Sequence, residues 1–251
     1  MLNVPPSRSG TVRSTLAEQF APVLRVHAYL RAEPAGGLDL DRARERVARG
    51  YSAYDPQRVL AAAGDLHGRF ARLLAAFEVA GLVSSEDSRA LLHDDLDVNE
   101  LVIAWIRADH TSRDARRRIA RQVAVLVGNS VLGAAADVVS GGEVFRGWTR
   151  PTCPCCDGTP DIALADGGAD RTLICARCDT RWHSAWRTCL GCQSDELARI
   201  HTPSLDYDLV ICNACGRFIT ERAHAGLQPL IVERAITAEL AVAAEQRGLR
   251  F

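Results

Sequence analysis

The sequence contains no lysine, so arginine supplies every one of its permanent side-chain positive charges. We read this as composition bias of the coding genome rather than as chemistry. With a formal net charge of −1, the chain also lacks the basic surplus by which a protein holds nucleic acid through bulk electrostatics. The N-terminal stretch MLNVPPSRSG has no apolar run to serve as the core of a signal peptide. The longest apolar segment, Val123 to Ala136, is interrupted by Asn129 and Ser130 and is too short to span a bilayer. The expected location is therefore cytoplasmic, without a membrane span. P-loop, GxGxxG, GxSxG and HExxH patterns are all missing, which removes the familiar enzyme classes they mark and leaves no catalytic residue to nominate. Cysteine is absent from every position before Cys153.

What is present divides the 251 residues into unlike halves. Residues 1–10, rich in Pro, Ser and Gly, are expected to be disordered. Residues 11–140 read as an all-helical bundle: Leu60, Leu66, Phe70, Leu73, Leu74 and Phe77 recur at spacings that share one helix face. Gly36-Gly37, Asp55-Pro56 and Gly81 punctuate this half into about six helices. Asp97 and Glu100 fit a capping box ahead of LVIAWI, and Ser112 is placed to cap the long apolar run after it. The stretch SGGEVFRGWTRP, 140–151, forms a hinge. Beyond it helical periodicity stops until Pro229, after which 230–251 reads as a C-terminal helix.

All nine cysteines lie between Cys153 and Cys215, and eight of them form CxxC pairs: Cys153/Cys156, Cys175/Cys178, Cys189/Cys192 and Cys212/Cys215. In a reducing compartment this points to metal ligands rather than disulfides. A CxxC turn aims two thiolates at one ion, and two such turns complete a tetrahedral site. The intervals between successive pairs are 18, 10 and 19 residues, the outer two being long enough for two short strands and a turn. The halves also resemble each other: TCPCC at 152–156 matches TCLGC at 188–192, and LICARCDTRW at 173–182 matches VICNACGRFI at 210–219. A repeat that carries two pairs points to one closed site per repeat, a first module at 151–187 and a second at 188–229. Spacing alone also permits alternate pairs to share a metal.

The ligand set suits two metal ions, iron or zinc. Filled four-cysteine sites are most simply folding staples, which a short segment poor in large apolar side chains needs. Cys155 reads as a bystander thiol. His183 reads as a hydrogen-bonding or surface histidine, and Trp182 and Trp186 as core. RRRIAR at 116–121 reads as a solvated helix face, and HDDLDVNE at 93–100 as a turn with capping residues.

A helical half followed by CPxC, then C-x-x-C-x-T-x-W-H-x-x-x-R, then two further CxxC pairs resembles the FdhE family of formate dehydrogenase accessory proteins. The resemblance is carried by Cys153, Pro154 and Cys156; by Cys175 and Cys178 with Thr180, Trp182, His183 and Arg187; and by Cys189, Cys192, Cys212, Cys215 and Gly216. It spans the C-terminal hundred residues and is most specific at 173–192; the helical half agrees in length and character. The resemblance implies an α+β fold, a helical bundle followed by two tandem rubredoxin-like or zinc-ribbon four-cysteine modules and a C-terminal helix. It further implies a cytoplasmic assembly factor, not an enzyme, that binds the formate dehydrogenase catalytic subunit before the holoenzyme is complete. Rubredoxin-type iron is associated with the family, and the eight paired cysteines suit it. Two other functions fit tandem four-cysteine modules: a zinc-ribbon nucleic-acid-binding protein and a rubredoxin-type electron carrier. Acidic residues outnumber arginines between Pro151 and Leu230, and each quartet of thiolates around a divalent ion adds negative charge. Phosphate binding is disfavoured on both counts.

Overall fold

The computed structural model describes residues 8–34, 36–94, 96–107, 115–140, 144–145, 147–165, 170–184, 187–202, 206–223 and 227–250. The chain forms two compact units, one from Gln19 to Val144 and one that joins Phe145–Phe251 with the residues up to Glu18. Of the N-terminal stretch expected to be disordered, 1–7 lies outside the described residues, and a helix already begins at Arg8. This helix, α1 (Arg8–Gln19), belongs almost entirely to the C-terminal unit rather than to the bundle. Its sequence, RSGTVRSTLAEQ, is too poor in large apolar residues to build a bundle core.

The Gln19–Val144 unit contains α2 (Ala21–Arg31), α3 (Leu40–Ala48), α4 (Pro56–Ala62), α5 (Leu66–Val79), α6 (Ser85–His93), α7 (Val98–Ile106) and α8 (Ala115–Val139). Short acidic or hydroxyl side chains start five of them: Asp39, Asp55, Asp65, Ser84 and Asp97 each accept a hydrogen bond from a first-turn backbone N–H. Such a cap contributes about 1 kcal/mol, a large share of what holds a two-turn helix. Asp97 accepts from Glu100 N at 3.0 Å, so HDDLDVNE supplies helix ends. Ser112 lies outside the described residues.

The apolar segment seen in the sequence is the middle of α8, and α2 to α7 all pack against it. Residues 116–139 are long and apolar enough for a membrane span, but 72% of the most apolar window is buried inside the protein, as in a core helix. Its interrupting polar residues are satisfied internally. Asn129 Oδ1 lies 2.8 Å from His27 Nε2, and Ser130 Oγ donates to Val127 O. Gly128 lets α7 approach: a Cβ there would stand 2.5 Å from the Trp105 ring. In RRRIAR the side chains of Arg116 to Arg118 are exposed, and Arg116 pairs with Asp87 at 3.1 Å.

Among the described residues, the C-terminal unit is built on one sheet of six strands: β1 (Pro160–Ala165), β2 (Arg171–Cys175), β3 (Arg181–Ser184), β4 (Leu197–Thr202), β5 (Tyr207–Cys212) and β6 (Phe218–Ala223). Their order is β3-β2-β1-β6-β5-β4. Each repeat contributes an antiparallel three-stranded ribbon. The last strand of the second repeat lies parallel to the first strand of the first, Ile162 opposite Thr220 through Ala165 opposite Ala223. The two modules thus share a single sheet. One sheet face carries Ile162, Leu164 and Ile174, packed with Leu227 and Leu230, and further along Leu209, Ile211 and Phe218, packed with Ala241, Ala244 and Leu249. The helix α9 (Leu230–Glu245) supplies most of these partners.

Two charged side chains at the start of α9 bind the sheet. Glu233, wholly buried, accepts from the Tyr207 hydroxyl, from Arg222 Nη1 and from the Gln228 backbone N–H. Arg234 reaches Asp161 at 2.6 Å and Asp179 at 2.7 Å, and donates to Cys175 O at 2.9 Å. Elsewhere on the sheet, Arg171 and Arg199 share Glu221, and Arg199 and His201 share Asp208.

Candidate metal centres

Each CxxC pair sits in a tight turn beside a strand. In the first turn Cys153 N–H donates to Gly158 O at 2.8 Å and Asp157 N–H to Cys153 O at 3.0 Å. The turn at Cys189 repeats this with Ser194 O at 2.7 Å and Gln193 N–H at 3.0 Å. The turn at Cys175 uses Thr180 O and Asp179 N–H, and that at Cys212 uses Arg217 O and Gly216 N–H. In all four the residue after the second cysteine is left-handed: Asp157, Asp179 and Gln193 have φ of 57°, 62° and 65°, and Gly216 has 71°. That region suits Gly and tolerates Asp. Backbone amides also reach the sulfurs: Cys155 N–H to Cys153 Sγ, Arg177 N–H to Cys175 Sγ and Gly191 N–H to Cys189 Sγ, each at 3.3 Å. Such bonds stabilise a thiolate more than a thiol.

The turns pair within repeats. Cys153, Cys156, Cys175 and Cys178 form one group and Cys189, Cys192, Cys212 and Cys215 another, with all sulfurs of a group within 4.8 Å of one another. Alternate pairs are not shared. In the first group Cys153 lies 3.5 Å from Cys178, and Cys156 lies 3.5 Å from both Cys175 and Cys178. In the second, Cys189–Cys215 and Cys192–Cys212 are each 3.6 Å apart. A tetrahedral zinc with sulfurs at about 2.3 Å requires sulfur–sulfur edges of about 3.8 Å, so each group suits one cation. A bound ion supplies a rigid cross-link if zinc and a one-electron couple if iron.

Four sulfurs this close resist sharing negative charge. In the first group burial first, and hydrogen bonding among the thiols, push Cys153 and Cys175 well above the ordinary thiol range. Cys156 rises likewise, chiefly through its contacts with Cys153, Cys175 and Cys178. Burial opposes ionisation of Cys178 too, but hydrogen bonds from the other three cysteines and Thr180 outweigh it and hold its thiol well below that range. In the second group the Arg217 backbone N–H leads in lowering Cys215 to about 7. Cys178 and Cys215 thus favour the thiolate form, and a divalent cation favours ionisation of the thiols that ligate it.

Cys155 is buried outside both groups. His183 also stands apart from them, its Nδ1 lying 3.4 Å from Thr172 Oγ1. Trp182 is 3% exposed; Trp186 lies outside the described residues. No local sequence signal marks Arg234 and Asp161: Arg234 holds the Cys175 turn from 59 residues away and is itself anchored by Asp161 across 73.

A bundle of helices and a double ribbon sheet with two cysteine quartets, closed by a C-terminal helix, define an α+β protein with two candidate metal centres. No family model matches the chain, and no curated protein matches it in sequence. The crystal structure of the FdhE protein from Pseudomonas aeruginosa is similar, with a TM-score of 0.72 at 18% identity, over 97% of this chain and 92% of that one. The fold is FdhE-like.

Proposed function

We propose that the protein is a cytoplasmic accessory factor for the maturation of formate dehydrogenase, without catalytic activity of its own, that binds the enzyme's catalytic subunit. The supporting observation is the likeness to FdhE, which extends through 97% of the chain and so takes in the helices as well as the ribbon sheet. In this reading Cys153, Cys156, Cys175 and Cys178 ligate one metal ion and Cys189, Cys192, Cys212 and Cys215 a second. The ions fix the ribbons as a stiff platform, and side chains and backbone of the platform hold the client. Holding requires no bond to be made or broken. The arginines that pair on the sheet also disfavour the nucleic-acid reading. Arg171, Arg199, Arg222 and Arg234 all face carboxylates at close range, so their charge is not free for phosphate.

Affinity capture of the tagged protein from its own cells, with mass spectrometry of what accompanies it, tests the reading. The expected companion is the formate dehydrogenase catalytic subunit. Deletion of the gene should abolish formate dehydrogenase activity while that subunit is still synthesised. Full activity in the deletion strain rules the maturation role out.

A further inference from the structure

The two sulfur quartets share their backbone turns but differ in their surroundings. Cys153, Cys156, Cys175 and Cys178 are each 0% exposed. In the second quartet Cys189 and Cys212 are buried, Cys192 is exposed and Cys215 is half-buried. Aligned positions of the repeat show why. Gly158 closes over the first quartet so tightly that a Cβ would lie 2.9 Å from Cys175 Sγ and 3.2 Å from Cys156 Sγ; Ser194 stands there in the second repeat. Cys155 in the first turn is buried, whereas its counterpart Gly191 in the second is exposed, with the Arg217 side chain beside it.

The second turn of each quartet is also fastened differently. At the first site Arg234 reaches down from α9 to Asp179 Oδ1 at 2.7 Å and to Cys175 O at 2.9 Å, and Thr180 Oγ1 lies 3.0 Å from Cys178 Sγ. At the second site Gly216 and Arg217 take the places of Asp179 and Thr180. There the fastening is a short backbone pairing with a residue beyond α9: Arg250 N–H donates to Gly216 O and Phe218 N–H to Arg250 O, each at 2.9 Å. An isolated two-bond bridge opens more readily than helix side chains packed on a sheet.

We infer that the two centres have different duties: the Cys153 quartet keeps its metal as a permanent cross-link, and the Cys189 quartet is an exchangeable centre that gains and loses its cation while the protein stays folded. A competing ligand reaches the second site directly at the exposed Cys192, one thiolate at a time. The same ligand reaches the first site only after local unfolding, whose equilibrium constant multiplies the release rate. The inference concerns the metals and not the client, so failure to capture a dehydrogenase subunit leaves it standing.

The test is chelator competition on the full-length protein loaded with zinc, read with a chromogenic pyridylazo chelator. Two equivalents should leave in separate phases, the slower on the order of 100-fold behind the faster. Iodoacetamide added during the fast phase, followed by peptide mass spectrometry, should label Cys189, Cys192, Cys212 and Cys215 and spare Cys153, Cys156, Cys175 and Cys178. Cys192→Ser should remove the fast equivalent and leave the slow one at its original rate; if that variant does not fold, labelling of the unaltered protein still decides. Release of both equivalents in one phase, or early labelling of the first quartet, overturns the inference. Uptake of fewer than two equivalents overturns it together with the two-metal reading.

Discussion

At the scale of single residues, the repeat sets up its own control. Gly158 and Ser194 occupy the same place in successive turns; a Cβ on Gly158 would press on the Cys175 and Cys156 sulfurs, whereas the Ser194 hydroxyl accepts a hydrogen bond from Glu196 N–H at 3.1 Å. Gly158→Ala should force the Cys156 and Cys175 side chains apart and destabilise the first module by about 1–3 kcal/mol, as overpacking does. Metal stoichiometry should fall toward a single equivalent. Ser194→Ala adds nothing near sulfur and removes one hydrogen bond, that from Glu196 N–H, so it should cost no more than about 1 kcal/mol with both metals retained. Equal sensitivity of the two positions in a denaturant titration contradicts this account. The cysteines themselves were legible in the sequence because a CxxC turn is a local object, specified within a few neighbouring residues. Gly158 was not, since its role depends on Cys175, far along the chain, folding back over it.

At the scale of elements, α9 is tied to the sheet by a buried ion pair as well as by apolar packing. Arg222 on β6 is 3% exposed and Glu233 on α9 is not exposed at all; the Arg222 guanidinium also lies 5.7 Å from the Tyr207 ring centroid. Removing Glu233 takes the nearest carboxylate from the buried Arg222 charge and leaves Asp206 at 3.8 Å. Glu233→Gln should therefore cost about 3–5 kcal/mol, whereas Glu233→Leu combined with Arg222→Met should recover most of the loss, because a matched apolar pair leaves no charge behind. Amide exchange across α9 and β6 reports the difference. A single substitution that costs less than about 1 kcal/mol refutes the pairing's importance. The same scale shows where sequence reading stops. The intervals between pairs revealed two ribbons. They held no sign that β1 would lie parallel to β6, because a pairing between strands so distant in the chain leaves no local periodicity. Likewise about six helices were expected before the hinge and eight lie among the described residues. Elements such as α3, α4 and α6, of 9, 7 and 9 residues, are too short to display a helical period, and their Asp and Ser caps are the better signal.

At the scale of the molecule, the two units owe their stability to different physics. The helical unit gathers a conventional core around α8, with Phe70, Leu73, Leu74, Val102 and Leu132 all at or near zero exposure. The sheet unit packs two apolar clusters on one face and also buries Leu173, Trp182, Val210 and Ile219. Its turns close on two sulfur quartets, each suited to one cation. A structural zinc supplies on the order of 10–16 kcal/mol of apparent binding energy, comparable with the whole stability of an ordinary domain. Removal of both metals should accordingly unfold the sheet unit and spare the other. On treatment with a strong chelator under mild denaturant, the helical circular dichroism signal should persist, and amides in α2, α5 and α8 should keep their protection from exchange. Amides in β1 to β6 should lose theirs, and only once the Cys153 quartet has given up its ion. Restored zinc should return that protection. Uniform loss across both units on chelation is the contrary result: it makes the metals a staple for the entire chain, and a client could then find no folded surface on the metal-free protein.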